Sequence, residues 1–369
     1  MKVLFYGQAT GGNASLWFRY LDSLNKRDYE IHFLARTICD LDHAFKLFAP
    51  YGYKNFHGLQ SRIRNVLTSR FILPLYVAIL SRIYKYDLVV IQGNYTPREN
   101  LRILRSFTGN KIVNIYGSDF YRKYLKNEFS DSEKADFRAV IDESDRIYCN
   151  WYTTYEKFIE VFPGSEPKLG CSPWGVSDGA WFTDVKKKRP LTFLSTRALH
   201  SYNNVDMVVE AFCICFASNP VARLTIVGGY GDDPVVVNKV RKVIDKYSAE
   251  SKVILHLDDW FEGDRLVNLY DEHMYNICFG DTDQLTLSIP YGYFRGCVNI
   301  LSDLDNYRYL SSIGFSSHII ARETSVDGLT EIFHTLDNTE RAVEADRELA
   351  LQIFDMNSTF KKYTTTARV

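Results

Sequence analysis

Short apolar runs alternate with amphipathic helical stretches along most of this chain, and the alternation occurs twice. Strands are predicted at 3–6, 30–35, 87–91, 111–116 and 146–149, then at 191–195, 223–227, 253–257, 275–279, 298–301 and 318–321. Strands separated by helices imply crossover connections and parallel sheets. With 369 residues the chain can hold two such α/β halves, each with its own core. The first is expected over 1–175. A loop-rich linker over 176–190 ends in Lys186-Lys187-Lys188-Arg189-Pro190. The second half is expected over 191–340, followed by a polar helical segment over 341–369. Asn204 is the expected N-cap of the helix that follows the strand at 191–195.

Composition removes several classes of function. Charged residues make up 24% of the chain and the net charge is −1, so it is no general polyanion binder and no nucleic-acid partner is expected. Seven cysteines without a CxxC pair fit free thiols in a reducing compartment. Met1-Lys2 leads directly into a strand too short for a signal peptide, and no apolar stretch reaches membrane-spanning length. A cytoplasmic location is therefore expected, with a peripheral membrane position open. The 25 Tyr and 24 Phe serve either the core or the faces of sugars.

The block 61–86 carries Arg62, Arg64, Arg70, Arg82 and Lys85 around an apolar run, with Pro74 expected at the start of a helix. Two readings fit: a helix on an anionic membrane surface, or a buried helix with a charged rim.

Chemistry concentrates where strands end. The strand at 191–195 runs into Arg197, and the strand at 223–227 breaks on Gly228, Gly229, Tyr230 and Gly231. In open parallel sheets, ligands sit beyond the carboxyl ends of strands. A permanently charged fork beside bare backbone amides suits a phosphate, here a nucleotide diphosphate. His200 shares the Arg197 loop. Gly11, Gly12 and Asn13 form either a phosphate-facing loop or a plain tight turn. Asp119, behind a Gly-Ser turn, is either a carboxylate in a cleft or a helix cap. Asp281 and Asp283 follow another strand. A metal site is one reading of that pair, and a carboxylate accepting from ligand hydroxyls is the other. The amides of Thr286 and Leu287 then begin a helix.

Four stretches together resemble the family 4 retaining glycosyltransferases of the glycosyltransferase-B fold. They are GSDFYR (117–122), SPWGVSDGAWF (172–182), STRALHSYNNVDMVVEAF from 195, and ARLTIVGGYG from 222. The resemblance implies two Rossmann-like domains facing a central cleft, with the donor on the second and the last helix returning to the first. It implies sugar transfer with retention from a nucleotide-diphosphate donor, a UDP- or GDP-sugar, to a glycan or lipid-linked acceptor in cell-surface polysaccharide synthesis. No metal is implied. Arg197 then neutralises the leaving diphosphate, and Gly11, Gly12 and Asn13 close over it. Asp283 holds sugar hydroxyls, and Gly228–Gly231 with Asp259 and Trp260 border the base and ribose. Asp119 lies on the acceptor side. Two positions depart from the family pattern. Tyr291 stands where the second of two spaced glutamates is usual, and the loop after Arg197 has no Lys, leaving His200 as its candidate substitute. A degenerate subunit that binds nucleotide sugar, or a partner enzyme, without turnover is the alternative. An epimerase on the same fold needs acidic and histidine groups that the sequence does not place.

Overall fold

Among the described residues of the computed structural model, thirteen strands form two separate parallel sheets. The structure describes residues 1–7, 17, 20–22, 24, 28–35, 46–48, 71–173, 175–176, 181, 183–228, 232–257, 259, 261–336 and 343–366. The chain divides into two units, one of residues 1–177 with 356–369, the other of residues 178–355.

The first unit holds a sheet of seven strands in the order β3-β2-β1-β4-β5-β6-β7. These are β1 (Lys2–Gly7), β2 (Glu30–Ala35), β3 (Lys46–Phe48), β4 (Leu88–Gln92), β5 (Asn110–Ile115), β6 (Arg146–Cys149) and β7 (Leu169–Cys171). Side chains alternate between two apolar layers. Leu4, Tyr6, Val89 and Ile91 enter one core, and Val3, Phe5, Leu88 and Val90 enter the other. Helices on both faces of a parallel sheet require this continuous apolar patterning. The carboxy-terminal helix Met356–Thr366 supplies part of the second layer through Met356, Phe360 and Tyr363. Its Met356 backbone lies so close to Gly175 that a Cβ there would clash.

The second unit holds β8 (Arg189–Ser195), β9 (Arg223–Val227), β10 (Val253–His256), β11 (His273–Cys278), β12 (Val298–Leu301) and β13 (His318–Ile320), in the order β10-β9-β8-β11-β12-β13. Numbered from the first strand of each unit, both sheets begin 3-2-1-4-5-6, the Rossmann order. The helices Val205–Phe216, Pro234–Tyr247 and Val326–Thr335 bring apolar faces to one side of this sheet. β8 opens at Arg189, inside the stretch expected as linker. Lys188 is also tied down, donating to the Tyr270 carbonyl at 2.7 Å. The helix Val343–Ile353 belongs to this second unit, whereas Met356–Thr366 belongs to the first.

Candidate functional site

The strand order of the second unit reverses between β8 and β11, and the loops leaving these two strands carry the candidate site. In such sheets the crevice at the carboxyl ends of these strands is the ligand position. β8 delivers Thr196 and Arg197; β11 delivers Gly280, Asp281 and Asp283. Two far-separated sequence motifs thus become neighbours. Arg197 Nη2 lies 3.3 Å from Asp283 Oδ2 and donates to Asn203 Oδ1 at 2.9 Å. Asn203 in turn donates to the Ala198 carbonyl at 2.7 Å. Tyr307, wholly buried, donates its hydroxyl to Asp283 Oδ2 at 2.7 Å, and Asn306 donates to the Asp283 carbonyl. Burial pulls the Arg197 pKa down, but Asp283 together with Tyr307, Cys278 and Tyr202 outweighs it and leaves the value raised. The guanidinium stays charged and is held in place by Asp283 and Asn203.

The two loops are also joined through their backbones. Asp281 donates its amide to the Tyr202 carbonyl at 2.9 Å and accepts from Asn204 Nδ2 at 2.6 Å. A Cβ on Gly280 would lie 2.8 Å from the Tyr202 carbonyl oxygen, so this approach needs glycine. Asn204 does precede the Val205–Phe216 helix, but it sits at φ 51° and its side chain makes no cap bond. Asn204 is thus the N-cap by position, as expected, but its side chain serves Asp281 instead of the helix amides.

Beyond Asp283 the loop shows two departures from ordinary chain. Neither side-chain polar atom of Gln284 has a hydrogen-bond partner although both are buried, and Leu285 adopts φ 117°. Strain and unsatisfied polar groups of this kind collect at functional sites. The helix Ser288–Phe294 follows, with Leu287 as N-cap and the Thr286 carbonyl accepting from Ile289 N. Its first turn is held to β8 by a buried polar cluster that sequence reasoning missed. Thr196 Oγ1 lies 2.9 Å from the Tyr270 hydroxyl and 2.8 Å from Ser288 Oγ. Ser288 Oγ donates to Asn276 Oδ1 at 3.1 Å, and Asn276 Nδ2 donates to Asn299 Oδ1 at 2.6 Å.

The remaining predicted residues fall as follows. His200 follows Arg197 in the loop and stacks on Tyr202, with ring centroids 5.3 Å apart. Gly228 follows β9 directly and lies against the Asp232 carboxylate, which also accepts from Leu199 N at 2.8 Å. Asp259 is paired through both oxygens with Arg265, which holds its carboxyl below the usual range. Tyr291 stacks on Trp181 with centroids 4.0 Å apart and planes 7° from parallel. Gly11, Gly12, Asn13, Gly229, Tyr230, Gly231 and Trp260 lie outside the described residues, as do Arg62, Arg64 and Arg70. Asp281 and Asp283 have separate partners, and among the described residues no cluster of three or more His, Cys, Asp or Glu could hold a metal.

Asp119 belongs to the first unit and corrects an expectation. It is 0% exposed, not a carboxylate open to a cleft. Its oxygens accept from the amides of Asn94 at 2.6 Å, Tyr116 at 3.1 Å and Phe120 at 3.0 Å. It fixes the turn after β5 from within the first turn of the wide helix Ser118–Leu125, whose N-cap is Gly117 without a side-chain cap bond, so it is not the cap either. Burial raises its pKa to about 6 despite those donors.

No family model and no curated protein matches this chain. Solved structures do. Sucrose-phosphate synthase from Thermosynechococcus elongatus matches with a TM-score of 0.76 at 11% identity, over 100% of this chain and 98% of that one. A glycosyltransferase from Rickettsia africae matches at 0.72 and 12% identity, over 100% and 97%. Anabaena HepE, solved in complex with UDP and glucose, matches at 0.71 and 12% identity, over 99% of both chains. The chain has the glycosyltransferase-B fold.

Proposed function

We propose that this chain transfers a sugar from a nucleotide-diphosphate donor to a glycan or lipid-linked glycan, with retention of configuration and without a metal. One observation carries the reading: Arg197 and Asp283 converge at the strand-order reversal of the second sheet. In the free protein the Asp283 carboxylate stands beside the guanidinium as an anion would. A donor diphosphate offers Arg197 more charge and two-pronged acceptance. As the sugar–phosphate bond breaks, negative charge grows on the departing oxygen, and Arg197 is held ready for it without reorganising. Asp283, steadied by Tyr307, is then left to accept from sugar hydroxyls. The Gln284 side chain, with both polar atoms unpartnered, gains hydrogen bonds from the same ligand. Retention follows a front-face path: the leaving phosphate oxygen takes the proton of the acceptor hydroxyl as that hydroxyl attacks the anomeric carbon from the same side. UDP-glucose is the first donor to try, because HepE has been solved bound to it.

A second reading has its own observation. Tyr291 is stacked on Trp181 where a carboxylate for the ribose is usual, and no Lys follows Arg197. Both changes favour a subunit that binds nucleotide sugar without turning it over. Titration with UDP- and GDP-sugars, followed by assay for released nucleoside diphosphate, separates the two. Binding with release supports the transferase, binding without release supports the subunit, and no binding removes both. Asp283→Asn is expected to weaken the sugar nucleotide while leaving the free nucleoside diphosphate nearly unaffected.

A further inference from the structure

The helix Leu73–Ile83 is apolar on two opposite faces. Leu73, Val77 and Leu80 enter the core of the first unit, as the inner face of a crossover helix must. The outer face should then be polar, and it is not. Phe71 is 61% exposed, Ile72 46%, Leu75 64%, Ile79 44% and Ile83 63%. They continue along one side of the helix at spacings of three and four. The neighbouring helix Pro97–Ser106 shows the ordinary arrangement, with Arg98 and Arg105 on its exposed side. Contiguous exposed apolar surface on a soluble protein marks a contact surface.

The charge of this stretch of sequence points to what the stripe contacts. Between Asp42 and Asp87 the sequence has seven Lys or Arg and no acidic residue. The chain as a whole is balanced, and a stretch of this length would ordinarily carry about five acids. Arg82 and Lys85 are both exposed at the carboxyl end of the stripe. Apolar side chains that insert, with the cations Arg82 and Lys85 beside them in a stretch of sequence without acidic residues, are the features of a helix lying in the interface of an anionic bilayer. At 11 residues it is far too short to cross one, and among the described residues no helix is long and apolar enough to do so.

We propose that the outer face of the Leu73–Ile83 helix, with Phe71 and Ile72 before it, docks the first unit on an anionic phospholipid surface. This goes beyond the sugar-transfer reading and stands or falls without it. The test is cosedimentation of the full chain with phosphatidylglycerol–phosphatidylcholine vesicles and with phosphatidylcholine alone. The wild type is expected to bind the anionic vesicles about tenfold more tightly or better, with affinity falling as salt rises. Leu75→Glu with Ile79→Glu alters only exposed positions, so its thermal midpoint should match wild type while vesicle binding drops about tenfold or more. The milder Leu75→Ala with Ile79→Ala keeps the helix and should show a partial loss. Failure of the wild type to sediment with anionic vesicles overturns the proposal, and so does undiminished binding by the Glu pair. A wild-type dimer that the Glu pair converts to monomer, with no vesicle binding by either, also overturns it and assigns the stripe to a second copy of this chain.

Discussion

Asp119 takes hydrogen bonds from three backbone amides while sealed from water, and the two effects oppose each other. Burial dominates and lifts its pKa from 3.8 to about 6. The fold therefore favours the protonated acid. The stability this group contributes is fully present below 3.8 and is lost as the pH rises through about 6. Asp119→Asn removes that titration and leaves an amide donor facing backbone N–H groups, at a cost of about 1–3 kcal/mol near pH 4. By pH 7 the gap to wild type should narrow by about 1–3 kcal/mol. Denaturant midpoints at the two pH values check this, and an unchanged gap contradicts it. The same residue shows the limit of reading residue types along a chain. A carboxylate after a Gly-Ser turn suits a cleft and a cap equally; its burial, the arrival of Asn94 N from another strand end and the N-cap at Gly117 show that it is neither. Arg197 was legible for the opposite reason, because a strand end followed by an arginine is visible in one short window. Tyr307 was not, since its hydroxyl reaches Asp283 from a helix that no local pattern connects to it.

At the level of elements, the long apolar strands and the short β13 were legible, whereas β3 and β7 were not. β3 and β7 each span three residues, too few for a periodic signal, and they owe their existence to the edges of a sheet already formed. Side-chain ties between elements were equally hidden. Arg295 is 1% exposed and pairs through two hydrogen bonds, at 2.7 and 2.8 Å, with the equally buried Asp271. It also donates to the carbonyls of Thr183 at 3.0 Å and Asp184 at 2.9 Å. One guanidinium thus fastens the segment before β8, including the Trp181 that carries Tyr291, to the end of the Ser288–Phe294 helix. Arg295→Ala leaves Asp271 as an unpaired buried charge and should cost about 3–5 kcal/mol in denaturant unfolding. Lys in its place restores the charge but not the fork, and should recover only part. A loss in Arg295→Ala below about 1 kcal/mol would show that the segment is held by other means.

Across the whole molecule, two Rossmann-ordered sheets account for the fold, and the chain's last helix completes the first of them. Phe360 stacks on Phe5 at 6.3 Å and meets Tyr29 edge-on at 5.0 Å, while the Tyr363 hydroxyl donates to Asn114 at 2.8 Å. Phe360→Ala should therefore destabilise the first unit by about 3–5 kcal/mol, although it lies near the chain terminus. Protease digestion tests it: fragments of residues 1–177 should disappear faster than in wild type, and equal resistance contradicts the packing account. The central claim concerns the second unit, where we propose that Arg197 meets the donor diphosphate. Calorimetric titration of UDP-glucose and related UDP- and GDP-sugars into wild type and Arg197→Ala tests it most directly. A charge-assisted hydrogen bond is worth about 1.5–3 kcal/mol, so the variant should bind its donor at least about tenfold more weakly than wild type. Equal affinity in the two proteins, or no binding of any such donor to wild type, contradicts the account.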